Sequence, residues 1–213
     1  MTPQHNLRLS VLMHGLMHAL VLVAGAICLG IALHSDFGSL RFSVSALCMA
    51  GVWLLGVAIR PVRISRSDFQ VRALLPHILA ALVLLCVTVV GALVVPLLPW
   101  LESRVVALVS QLVGSSVWTL ALIAAVGGIA EELYFRGALF DAFPRSAAIL
   151  GSTVTYVAVV SASGMLVLML AAAVLGLLAA FLRGRFDNVV GCAVFHVAWS
   201  VPVLLIVPHL LPA

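Results

Sequence analysis

Charge is what this chain has least of. Only 8% of its 213 residues are Asp, Glu, Lys or Arg, and lysine is missing altogether, so the net charge of +4 comes from 11 arginines set against 7 acids. A soluble domain needs more polar surface than that, and the chain is 64% hydrophobic with a mean hydropathy of +1.29. Cysteine is scarce as well. Cys28, Cys48, Cys86 and Cys192 stand singly in apolar stretches without a Cys-x-x-Cys spacing, which leaves no pattern for a zinc knuckle or a disulfide framework. The sequence shows no basic patch with interleaved aromatics, and nucleic acid is not an expected partner. No linker, low-complexity tract or internal repeat divides it. What the chain does have is long apolar runs, and these predict an all-α, polytopic transmembrane helical bundle, with residues 1–213 forming one membrane-embedded domain.

Spans of about 20 apolar residues, broken by Pro, Gly and charged residues, set out about seven membrane segments: 10–33, 42–59, 73–98, 105–143, 146–162, 165–182 and 188–207. The first is long and lacks a small-x-small cleavage site around Leu33-His34-Ser35, so it reads as a retained span. The fourth is too long for one untilted span. It either turns at the interface before Trp118 or runs on past the membrane through Arg136 and Asp141. Threaded alternately, Arg8, Arg60, Arg63, Arg66, Arg72, Arg136, Arg145, Arg183 and Arg185 gather on one side, and only Arg41 and Arg104 fall on the other. That bias predicts a cytoplasmic amino terminus and an outward carboxyl terminus.

Against this background, Gly127-Gly128-Ile129-Ala130-Glu131-Glu132-Leu133-Tyr134-Phe135-Arg136-Gly137 stands out. An ionisable side chain deep in a membrane helix costs roughly 2.5–3.5 kcal/mol and tends to mark a functional site. On an α-helix Glu132 and Arg136 lie only about 40° apart and pair, while Glu131 points about 100° away and is left for other work. At ~1.5 Å per residue, both acids sit roughly 13–20 Å in from Arg145, and His196 sits on the order of 12–17 Å in from Arg185. Tyr156 and Val160 reach a similar depth. Ser200 shares a helix face with His196, and Ser152, Tyr156 and Ser163 form a stripe that is expected to face the acids across a substrate cavity. Small hydroxyls in such helices also satisfy themselves on local carbonyls, and both readings stay open. His14 and His18 have the i, i+4 spacing of helical zinc sites and are a further pair that could join the cluster.

The order Glu131-Glu132-x-x-x-Arg136, then a helix bearing Ser152 and Tyr156, then His196-x-x-x-Ser200, resembles the CPBP (CAAX-processing and bacteriocin-processing, also called Abi) family of intramembrane proteases. The resemblance covers a core of about residues 105–207. It implies that Glu131 activates a water, that Glu132 and Arg136 organise the site, and that His196 binds metal or stabilises the oxyanion. A divalent metal such as Zn2+, held by Glu131 and His196, belongs to the same implication. Two positions depart from the family pattern. The second motif, an aromatic followed four residues later by histidine, aligns with Tyr156 and Val160, and the Asn or Asp of the third motif is Ser200. The expected activity is that of a metallo- or glutamic endopeptidase in the plasma membrane of a bacterium. Its expected partners are the lipid bilayer and a membrane protein or lipidated peptide substrate, including prenylated carboxyl termini. Two alternatives use the same residues: a degenerate member that binds a membrane partner without cutting it, and a proton- or ion-coupled transporter, although the inverted repeat typical of transporters is missing.

Overall fold

In a bilayer every backbone polar group must find its partner inside the protein, and apolar runs of this length can do so only as helices. The structure, a computed structural model, describes residues 3–112 and 115–211, with side chains from residue 12 onward. The side chain of Arg8 therefore lies outside the described residues. The helices are α1 (Pro3–Leu33), α2 (Leu40–Ile59), α3 (Val71–Val94), α4 (Pro99–Ser110), α5 (Val117–Glu132), α6 (Ala148–Val160), α7 (Leu166–Phe186) and α8 (Val189–Ile206). Among the described residues there is no strand. Six stretches of the described residues are long and apolar enough to cross a membrane: Leu12–Leu33, Leu40–Ile59, Val71–Leu97, Val117–Ala142, Leu166–Phe186 and Val189–His209. A seventh, Ala148–Ser163, is apolar but shorter.

The overlong fourth segment is resolved by a break before Trp118. Helix α4 is too short to span, and α5 starts afresh at Val117, where the Ser116 hydroxyl accepts from the backbone of Thr119 at 3.4 Å. Other helix starts are fixed in the same way. Ser39 caps α2 at 3.1 Å, and Asn188 caps α8 by accepting from Gly191 at 2.8 Å. The Asn188 amide also donates to the carbonyl of Asp68, which ties the start of α8 to the loop ahead of α3.

Helix α5 lies between α2 and α8, with α1 outside α2, α3 outside α8, and α6 packed on α7. Exposed Leu55, Val83, Leu122, Leu150, Val154 and Leu170 make up part of the lipid-facing surface. Inside, Trp53 stacks on Tyr134 at 5.1 Å, and Phe135 meets Trp53 and Tyr156 edge-on at 5.0 and 4.9 Å. Gly25 makes room for the Trp53 indole, so α1 can approach α2 closely. This aromatic cluster packs Tyr134 and Phe135 and so sets the position of the segment that carries Arg136.

Candidate active site

The backbone changes its winding just after the acids. Leu133–Ala138 is a π-helix, closed by the Leu139 amide donating to the Tyr134 carbonyl at 2.8 Å. Such wide turns add one residue to an α-helix and are frequent at functional sites. The sequence reading had continued the α-helix through this segment. The expected ion pair forms all the same: Arg136 Nη1 donates to Glu132 Oε1 at 3.1 Å, with both side chains 0% exposed.

Arg136 is held from three further directions. Its Nη2 donates to the Gly176 carbonyl at 2.9 Å, and its guanidinium lies 4.8 Å above the centre of the Tyr156 ring. Its own carbonyl accepts from Arg183 Nε at 2.8 Å. Gly176 permits the approach, since a Cβ there would stand 3.0 Å from Nη2. Arg183 is itself fixed by Asp141 at 3.1 Å and by Asp187.

His196 comes from α8 to the same carboxylate, with Nδ1 2.9 Å from Glu132 Oε1. Its imidazole lies across Gly128, where an added Cβ would be 3.1 Å from the ring. If Nδ1–H is taken as the donor to the carboxylate, Nε2 keeps its lone pair. Glu131 lies on the other side and is half-buried. It is not left wholly free: Tyr156 donates its hydroxyl to Oε2 at 2.8 Å, while among the described residues Oε1 has no hydrogen-bond partner.

Glu131, Tyr156 and His196 form the floor of a cavity of about 310 Å³. Gly127, Gly128, Glu131, Tyr156 and His196 are the lining residues nearest the arginine-bearing ends of their helices. From there the walls run the other way and are almost wholly apolar, through Met49 to Phe42, Ile123 to Leu120, Leu175 to Leu168 and Trp199 to Leu204. Ser200 also lines the cavity, and its hydroxyl is buried without a hydrogen-bond partner among the described residues. Glu132 Oε2 and Arg136 Nε are likewise buried and unpartnered. Unmet polar atoms cost about 1–3 kcal/mol each, and of these three the Ser200 hydroxyl is the one on a residue that lines the cavity, where a polar guest could meet it.

Other expected members of the site are placed elsewhere. Ser152 and Ser163 are buried, but the first donates to the Ile149 carbonyl at 3.4 Å and the second accepts from the Met165 amide at 3.1 Å. Neither is among the residues lining the cavity, so of the expected stripe only Tyr156 reaches it. His14 and His18 do not line it either, and His18 Nδ1 lies 3.2 Å from the Tyr134 hydroxyl. Val160, at the position of the family's second histidine, does face the cavity. The place for that ligand is thus present without the ligand. Among the described residues no three His, Cys, Asp or Glu side chains group so as to hold a metal ion, and the donors present do not fit a three-ligand zinc site.

Sequence reasoning missed Arg183 as a support of the site, grouping it with the arginines at the membrane edge. Its i, i+4 spacing to Asp187 was the available signal. The π-turn left no signal, because Leu-Tyr-Phe-Arg-Gly-Ala suits either winding.

Comparison with known proteins adds an independent finding. The family model for type II CAAX prenyl endopeptidase Rce1-like matches residues 113–201, a stretch that holds Glu131, Glu132, Arg136, Tyr156, His196 and Ser200. No curated protein and no solved structure matches the chain. With its acids, arginine and last-helix histidine all inside the matched stretch, residues 113–201 are similar to the Rce1-like family of CAAX-type endopeptidases, and the match supports membership of that family.

Proposed function

We propose that the chain is an intramembrane endopeptidase in which Glu131 is the general base. The observation that carries this reading is the state of Glu131: one oxygen held by Tyr156, the other unbonded, at the floor of an apolar cavity. Glu131 takes a proton from water as the water oxygen attacks the scissile carbonyl, and then passes that proton to the leaving amine. Once Glu131 is protonated, the Tyr156 hydroxyl is released to donate to the oxyanion, together with the unpartnered Ser200 hydroxyl. Glu132 and Arg136 position His196, whose Nε2 orients the water. No step is assigned to a metal, because the donor set for one is incomplete.

A cavity of about 310 Å³ is at the small end for a ligand site and accepts a few apolar side chains of an unfolded segment. This suits membrane-associated peptides, and by family resemblance prenylated carboxyl termini. The test is cleavage of a fluorogenic membrane peptide by reconstituted protein. Glu131→Gln is expected to lower kcat on the order of 10²–10⁴-fold. Cleavage by that variant at the parent rate defeats the mechanism, and a parent that retains the peptide uncut would be a binding protein instead.

A further inference from the structure

A second cavity, of about 1020 Å³, lies at the end of the bundle that the first one turns away from. Its wall carries the guanidinium groups of Arg60, Arg63, Arg145, Arg183 and Arg185. Only two carboxylates share that wall, Asp141 and Asp187, and Arg183 uses both. Among the described residues the other four arginines make no ion pair, and Arg185 rests 5.3 Å over the Phe186 ring. Between the charges the surface is aromatic, formed by Phe140, Phe143 and Phe181, the last of them 54% exposed.

Arginines kept only for orientation would stand apart around the membrane edge. Here they converge from the α2–α3 loop, the start of α6 and the end of α7 on one concavity, where the spans Leu40–Ile59 and Leu166–Phe186 stop. That is the level of lipid phosphates, and basic pockets between helices at this level suit acidic headgroups. A dissolved anion needs the charge but has no use for the apolar wall; a phospholipid uses both. We infer that this cavity binds the phosphate of an anionic phospholipid, with an acyl chain laid along Phe181. Arg183 belongs to the same wall and holds the Arg136 carbonyl, so a bound lipid braces α7 against the π-helix.

The experiment uses the full chain, purified and reconstituted in phosphatidylcholine nanodiscs, with thermal unfolding followed by tryptophan fluorescence and lipid retention followed by native mass spectrometry. Phosphatidylglycerol is expected to raise Tm and to be retained in preference to phosphatidylcholine. The double variant R63Q/R145Q, at exposed positions outside the candidate active site, is expected to weaken that retention on the order of 20-fold. Its Tm in phosphatidylcholine alone reports whether it folds as the parent does, and if it does not, the parent's choice between the two lipids decides. Equal retention of both lipids, or an undiminished preference in a folded R63Q/R145Q, overturns the proposal. So does a rise in Tm reproduced by millimolar inorganic phosphate, which makes this a site for free anions.

Discussion

Glu132 and Glu131 are chemically identical neighbours set apart by what touches them. Glu132 is sealed between Arg136 and His196, whereas Glu131 touches Tyr156 and the cavity. The first half of that division was legible in the sequence, because i, i+4 spacing brings an acid and an arginine together in either helical winding. The Tyr156 contact was only half legible: the stripe of Ser152, Tyr156 and Ser163 marked the helix face, but the two serines are short enough to bond their own backbone and stop there. Tyr156→Phe tests the hydroxyl alone, since the ring keeps its contacts with Phe135 and Arg136. It is expected to lower kcat about 10–100-fold with little change in Tm, measured by peptide cleavage beside thermal unfolding. Gly128→Ala places a methyl 3.1 Å from the imidazole. It is expected to lose activity by pushing His196 away from Glu132, while Gly127→Ala, whose Cβ meets only Met49 at 3.8 Å, stays near the parent rate.

At the scale of the element, the spans were readable because a membrane demands long apolar helices, and each of the seven expected segments has a helix to match it. The separation of α4 from α5 was readable as an alternative, with Trp118 marking the place. The winding of Leu133–Ala138 was not, since it depends on how Tyr134 and Phe135 dock under Trp53 while Arg136 turns back to Glu132. The π-turn meets both demands at once. Deleting Leu133 is therefore expected to leave helix content by circular dichroism unchanged and to abolish cleavage. A deletion variant that cuts as the parent does would show that the wide turn has no part in placing Arg136.

At the scale of the molecule, the depth arithmetic brought Glu132 and His196 to one layer, and they meet there. It measured that depth from the arginine-rich end, and the cavity extends the other way. The direction of a cavity is set by small and apolar residues contributed by six helices at once, and no single stretch of sequence records it. Toward the arginines the way is closed by the buried Glu132–Arg136 pair and by Arg183 behind it. Away from them it passes Ile123 and Leu168 to Leu120 and Leu204. In a variant stripped of its native cysteines, Leu204→Cys and Arg145→Cys are expected to react with an impermeant thiol reagent from opposite faces of a sealed vesicle. On the proposed function, a peptide bound for Glu131 travels through the leaflet remote from the guanidinium groups, and the lock that holds the two acids in place also works as a stopper at the inner end of that passage.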